Sequence, residues 1–409
     1  MVNKTVNQNI PQGWKETKLS ELLVEINERN REQAELPVLS VTNSRGFVLQ
    51  SEQFARNVHS KNTSNYKIVS KEQFAYNPAR INVGSIALLR KWEKGLLSPM
   101  YVVFGTKDEL LNDYLQYYIQ SPRFSVQVSN NTAGSVRKSL NFNAFEKFDY
   151  AYPESKEEQK KVVEVLASID EVIKKTEEVI KVTEKLKKGL MQQLFTQGIG
   201  HTKFKKTELG EIPEDWNVVK LEDVAQLSTG TTPATSKQAY YQGSTPFIKT
   251  AQVANNRING TEVFVSEEAI SDYRLKVYKP GTVFMAMYGQ GKTRGQVALL
   301  ETEGCTTQNA AAIEPGKKLD SEYLWFFFKS QYEQLRQGGV HGLISHLSLT
   351  VMKQYQMSLP SLTEQKEIAR ILNSVDEKIL VNKKLVAKQT ELKKGLMQDL
   401  LSGKVRVVN

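Results

Sequence analysis

Two stretches of the chain carry an unbroken helical pattern. In the first, Val162, Val165, Leu166, Ile169, Val172, Ile173, Val179, Ile180, Leu186, Leu190 and Leu194 recur at steps of three and four residues. In the second, Ile368, Ile371, Leu372, Val375, Ile379, Leu385, Val386, Leu392, Leu396 and Leu400 do the same. Neither stretch contains proline. Pro153 and Pro360 stand just before them, where proline suits a helix start, and Gly198 and Gly403 stand near their ends, where glycine stops a helix. The pattern predicts two helices of roughly 40 residues, each ~60 Å long at a rise of 1.5 Å per residue. An apolar stripe of that length must be covered, and the other helix is its natural partner. The expected seam runs through Leu186, Leu190 and Leu194 on one side and Leu392, Leu396 and Leu400 on the other. Thr176 with Asn382, and Thr183 with Gln389, interrupt it at matching places. Such polar positions either set register or face solvent.

The remaining chain alternates short strand-like runs with turns. Val38–Val41, Ile86–Leu89, Met100–Phe104, Val283–Met287 and Val297–Leu300 read as strands. Tyr114–Ile119 and Tyr323–Phe328 read as helical aromatic runs, and their consecutive apolar residues point to core rather than to a base-stacking platform.

The chain repeats itself. Ile10, Pro11, Trp14, Lys18 and Leu19 recur 202 residues on as Ile212, Pro213, Trp216, Lys220 and Leu221. Residues 158–195 align without a gap to 364–401, with 16 of 38 positions identical. The most similar part is Leu186-Lys187-Lys188-Gly189-Leu190-Met191-Gln192, which returns as Leu392-Lys393-Lys394-Gly395-Leu396-Met397-Gln398. The layout is a variable globular region and a helix, twice over: 1–153, 154–200, 201–360 and 361–409. The fold class is α+β.

Composition narrows the function. Hydrophobic residues make up 40% and charged residues 24%, which excludes wholesale disorder. One cysteine, Cys305, excludes an internal disulfide and a multi-cysteine zinc site; it reads as a buried thiol. The four histidines show no metal-ligand spacing. The first twenty residues are polar and no apolar run approaches ~20 residues, so no leader and no membrane span are expected and the protein reads as cytoplasmic. The net charge of +10 permits a polyanionic partner without requiring one. Over 155–196 nine basic residues face eight acidic ones, so the helices are solvated rather than phosphate-tracking.

Polar loops between the strands hold the residue types that read base edges and hold phosphates. In the first globular region these are Lys61, Asn62, Asn65, Arg80, Asn82, Arg90, Lys91, Arg137 and Lys138. In the second they are Thr231, Thr232, Lys249, Thr250, Gln252, Tyr288, Gln290, Lys292, Arg294 and His341. Catalytic signatures are weak. Residues 286–293, Ala-Met-Tyr-Gly-Gln-Gly-Lys-Thr, approach a phosphate-binding loop, but a glycine-broken, strand-like run follows where that loop needs a helix. Asn77-Pro78 is followed by Ala79 and so lacks the motif for amino-methyl transfer.

Taken together, the chain resembles the specificity subunits of type I restriction–modification enzymes along its whole length. The carriers are the paired Ile-Pro-x-x-Trp-x-x-x-Lys-Leu segments and the repeated Glu-Gln-Lys…Leu-Lys-Lys-Gly-Leu-Met-Gln helices. Gly230-Thr231-Thr232-Pro233…Tyr241-x-Gly243-x-x-Pro246-Phe247-Ile248 also looks like that family's opening of a target recognition domain. The resemblance implies two target recognition domains joined by two antiparallel coiled-coil helices in a pseudo-twofold repeat. It implies that each domain reads half of a split, asymmetric target in double-stranded DNA, and that the helices set the unread spacer. It further implies docking of two methyltransferase subunits and two restriction subunits. Those subunits would hold S-adenosylmethionine, ATP and Mg2+, so that this chain itself is non-catalytic. Two other readings stay open: a nucleotide-dependent enzyme using the 286–293 loop, and a coiled-coil adaptor that binds protein.

Overall fold

The computed structural model describes residues 10–53, 60, 62–132, 139–288, 292–337 and 347–407. The chain divides into two compact units, residues 1–177 with 384–409 and residues 178–383. Two long helices, Lys156–Thr196 and Leu362–Leu400, change unit part-way along. They coincide with the two periodic stretches, and Gly198 and Gly403 follow them at φ of 66° and 71°, left-handed values that a side chain disfavours.

Unit 1 is built on a four-stranded antiparallel sheet in the order Leu23–Ile26, Val102–Thr106, Phe74–Tyr76, Ile86–Leu88. A hairpin, Leu39–Thr42 with Gly46–Leu49, and a ribbon of Lys67–Ser70 with Lys94–Leu97 accompany it. The core joins Phe74, Tyr76 and Phe104 to Tyr114, Leu115 and Tyr118 of the first aromatic helix. Unit 2 has a five-stranded sheet in the order Ala225–Thr229, Ala310–Pro315, Val283–Ala286, Val297–Leu300, Asn256–Ile258. Thr245–Ile248 lies between Phe264–Val265 and Cys305–Thr306 in a second sheet. Tyr323–Phe328 are all buried, so both aromatic runs are core. Cys305 is buried, which pushes its thiol up to about 11.

The sequence repeat is also a repeat of contacts. In unit 1, Gln159 is buried: its amide oxygen accepts Leu111 N at 2.9 Å and its amide nitrogen donates to the carbonyls of Glu109 and Pro153 at 2.9 and 3.0 Å. In unit 2, Gln365 accepts Asp320 N at 2.8 Å and donates to the carbonyls of Lys318 and Pro360 at 3.0 Å each. Each glutamine thus ties the loop before an aromatic helix to the start of a long helix. The neighbouring glutamates act alike. Glu158 accepts Trp14 Nε1 at 3.3 Å and Arg406 Nη2 at 2.6 Å, while Glu364 accepts Trp216 Nε1 at 2.9 Å and meets His201 Nε2 at 2.8 Å. Both globular cores take in the start of one long helix and the end of the other. Val162, Leu166, Met397 and Leu400 belong to the unit 1 core, and Leu194, Phe195, Ile368 and Leu372 to that of unit 2.

The helices run antiparallel within each unit. In unit 2, Glu184 pairs with Lys383 at 2.7 Å and Lys187 with Asp376 at 2.5 Å; in unit 1, Asp170 pairs with Lys393 at 2.6 Å. The apolar seam expected from the sequence is only partly a seam. Leu194 and Leu400 are buried, and Leu190 and Leu396 are half-buried against the cores. Leu186 and Leu392 instead stand 56% and 57% exposed, while their sequence neighbours Lys187 and Lys393 reach across to Asp376 and Asp170. Thr176, Thr183 and Asn382 do not bond across the pair: each donates to the carbonyl four residues earlier on its own helix.

One site breaks the match between the units. Gln120 in unit 1 corresponds to Lys329 in unit 2, the aromatic helices being related by a constant shift from Tyr114 to Tyr323. Lys329 lies 3.8 Å from Asp376, a carboxylate already held by Lys187, and its ammonium sits 3.9 Å from the Trp325 ring. Burial, with Lys187 and Arg257 near by, outweighs the opposing Asp376 and lowers the Lys329 amine from 10.5 to about 7. The unfolded chain therefore binds more protons between pH 7 and 10.5, so unit 2 gains stability as the pH rises through that window and carries the full cost below it. Lys329→Gln is expected to stabilise unit 2 at pH 7 by on the order of 2 kcal/mol, with the gain shrinking towards pH 10. Thermal melting across that pH range checks it; a lower melting temperature at pH 7 would contradict this reading.

Candidate nucleic-acid interface

In unit 2 three loops that are distant in sequence meet at the turn Thr307-Gln308-Asn309. Gly230 makes the closest approach: a Cβ there would stand 1.7 Å from the Thr306 carbonyl oxygen, so only glycine lets the two backbones touch. Next to it the Thr232 hydroxyl donates to Gln308 Oε1 at 2.5 Å. Thr250 and Thr307 join through their hydroxyls at 2.7 Å, and Met287 N donates to the Asn309 carbonyl at 3.0 Å. Thr307 Oγ1 also accepts Asn309 N at 3.3 Å, which holds the turn shut. Gln308 and Asn309 are exposed at the centre, with Thr231, Lys249, Tyr288 and Lys292 exposed on the surrounding loops.

Three of the loops expected to carry contacts are thus assembled around a turn that was not expected, but not every residue is available. Gln252 Oε1 accepts Lys249 N at 3.0 Å and the Thr261 hydroxyl at 3.1 Å, so this amide shapes its own turn. Arg294 folds back to the carbonyl of Arg336. Gln290 and His341 lie outside the described residues. The hub residues Gln308 and Asn309 were missed in the sequence, where Thr306-Thr307-Gln308-Asn309 reads as an ordinary polar stretch beside Cys305. The 286–293 segment links Val283–Ala286 to Val297–Leu300, which pair antiparallel. A phosphate-binding loop runs from a strand into a helix; here the next element is a strand, so the nucleotide-enzyme reading is not favoured.

Unit 1 presents a cleft of about 1100 Å³ instead of a hub. Asn43 and Arg45, at the tip of the hairpin, face it together with Asn82, Lys91 and Trp92. Among the described residues three cations, Arg45, Arg90 and Lys91, line it and no carboxylate does. Arg90 is the least available of them, because its guanidinium is held by Glu72 and Asp113. Lys91 stacks its ammonium 4.7 Å from the Trp92 ring. Arg45 is exposed, and neither it nor Asn43 was singled out in the sequence. Asn62, Asn65 and Arg80 do not line the cleft. Asn62 Oδ1 caps Ser64 N at 3.0 Å and the Asn65 carbonyl accepts Arg29 Nη1 at 2.8 Å, so that loop packs on a neighbouring strand end. Lys61, Arg137 and Lys138 lie outside the described residues.

Comparison with known proteins places this arrangement. Residues 213–390 match the type I restriction modification DNA specificity domain. The chain is 30% identical over 337 residues to the type I restriction enzyme MjaVIII specificity subunit of Methanocaldococcus jannaschii, covering 80% of this chain and 78% of that one. Its fold is similar to a chain from a structural study of assembly and conformational transition in the type I R-M system, with a TM-score of 0.64, 17% identity and coverage of 97% and 100%. It is also similar to the HsdS subunit from Thermoanaerobacter tengcongensis, with a TM-score of 0.53, 17% identity and coverage of 98% and 99%. With a relative of this identity matched over most of both lengths, and with both repeats folding as the sequence resemblance implied, the chain belongs to the specificity subunits of type I restriction–modification enzymes.

Proposed function

We propose that this chain reads a bipartite, asymmetric target in double-stranded DNA, one half with the unit 1 cleft and the other with the unit 2 hub. The observation that carries this reading is one framework bearing two different polar surfaces. The glutamine and glutamate ties recur residue for residue, whereas the loops they support do not. Repeated frames with unlike readers suit a non-palindromic site. The candidate contacts divide by chemistry: Lys91, Lys249 and Lys292 suit phosphates, while Asn82, Thr231, Thr232, Thr250 and Tyr288 suit base edges or sugars.

Partner docking falls to the long helices. Val179, Val182 and Leu186 are exposed on the first, and Leu385 and Leu392 on the second, at spacings of three, four and seven residues. These stripes suit helices of two methyltransferase subunits, to which two restriction subunits would add. S-adenosylmethionine, ATP and Mg2+ would reside in those partners, and this chain would direct adenine methylation and cleavage without performing either. No described helix is long and apolar enough to cross a membrane, and the proposed work on DNA suits the cytoplasm.

Exchanging residues 212–360 for the corresponding segment of another specificity subunit is expected to change one half of the methylated motif and leave the other intact. Mapping methylated positions across a genome carrying the chimera and its methyltransferase checks this. Change in both halves, or in neither, would overturn the two-reader model.

A further inference from the structure

We propose that Gln308 is the base-reading residue at the centre of the unit 2 hub and that it reads adenine. The inference rests on the reading of unit 2 as a DNA half-site reader. Gln308 is exposed, yet its side chain is held in place: Oε1 accepts the Thr232 hydroxyl at 2.5 Å. That bond sets which way the amide faces. It uses one of the two carbonyl lone pairs and leaves the second, with both N–H donors, free to meet a base. Adenine offers the matching edge in the major groove, an N6 donor beside an N7 acceptor. Guanine offers two acceptors, which a guanidinium fork meets better. Arg294, on one of the surrounding loops, donates to the Arg336 carbonyl instead.

The supports of Gln308 come from every side of the hub. Gly230 permits the backbone contact that brings Thr232 within reach, and Thr307 pins the turn through Thr250 and Asn309 N. Lys249, next to Thr250, and Lys292, on the loop that follows Met287, are exposed cations that suit phosphates. A reader held on rigid neighbours loses little freedom on binding, which favours selectivity.

The test uses the complete complex with its methyltransferase subunit and a pool of randomised DNA duplexes, from which bound sequences are selected and read. The wild type is expected to select adenine at one position that Gln308→Ala relaxes, with preference there falling roughly fivefold to a hundredfold. Gln308→Glu is expected to move preference at that position towards cytosine, because a carboxylate only accepts and cytosine N4 donates. Thr232→Val should weaken the adenine preference without replacing it. The other half-site stays unchanged in all three, and melting temperatures match the wild type because Gln308 is exposed. Selection of the wild-type motif with undiminished selectivity by both Gln308 variants would overturn the assignment while leaving unit 2 a DNA reader. Failure of the wild-type complex to select any motif would overturn the DNA reading itself. Relaxation of both half-sites together would show that Gln308 acts on structure and not on a base.

Discussion

Gly230→Ala is expected to erase selectivity for one half of the target and to destabilise unit 2 by on the order of 3 kcal/mol, the upper part of the range for overpacking. The added methyl would lie 1.7 Å from the carbonyl oxygen of Thr306 and 2.3 Å from its carbon. Both are backbone atoms, so no rotamer change relieves the clash. Thr306 cannot retreat easily either: it is buried, pairs in parallel with Ile248, and its hydroxyl donates to the Ile248 carbonyl at 3.0 Å. The loops must therefore part, and the Thr232–Gln308 bond goes with them. Gly260→Ala is the control, since nothing lies within 4 Å of its would-be Cβ. Thermal melting and duplex selection on both variants distinguish the cases. Wild-type selectivity in Gly230→Ala would show that the hub does not depend on this approach.

Gln365→Leu is expected to lower the stability of unit 2 by on the order of 3–5 kcal/mol, since each buried polar group left unpaired costs about 1–3 kcal/mol. Leucine is close in volume, so packing is roughly kept while polarity is lost. Asp320 N and the carbonyls of Lys318 and Pro360 would all lose their partner. Asp320 is itself the cap of Ser321–Ser330, with its carboxylate accepting Glu322 N and Tyr323 N at 3.0 Å each. Loosening this loop thus frays the start of the helix that supplies Tyr323–Phe328 to the core. Denaturant unfolding checks the expectation through a lower midpoint. Gln159→Leu should do the same in unit 1, where Gln159 holds Leu111 N and the carbonyls of Glu109 and Pro153. A loss below about 1 kcal/mol would mean that water replaces the amide in full.

The sequence by itself determined the two long helices, the internal repeat, two strands of each main sheet and the aromatic helices of the core. These follow from local periodicity, from proline and glycine at helix ends, and from apolar residues too dense to be exposed. The family could also be recognised, because its motifs lie in the repeated framework. Tertiary structure alone decided what those motifs do. Glu-Gln-Lys looks like a solvated helix start, yet Gln159 and Gln365 are buried because each meets a loop some 45–50 residues distant. Leu186 and Leu392 share a periodic stripe with buried leucines, yet they are exposed, since periodicity marks a face and not what covers it. Arg90 looks like a phosphate ligand until Glu72 and Asp113 arrive beside it. Gln308 is an ordinary loop residue until Gly230, Thr232, Thr250 and Met287 converge around its turn. In each case the deciding contact joins residues far apart in the chain, and only packing of the whole unit brings them together.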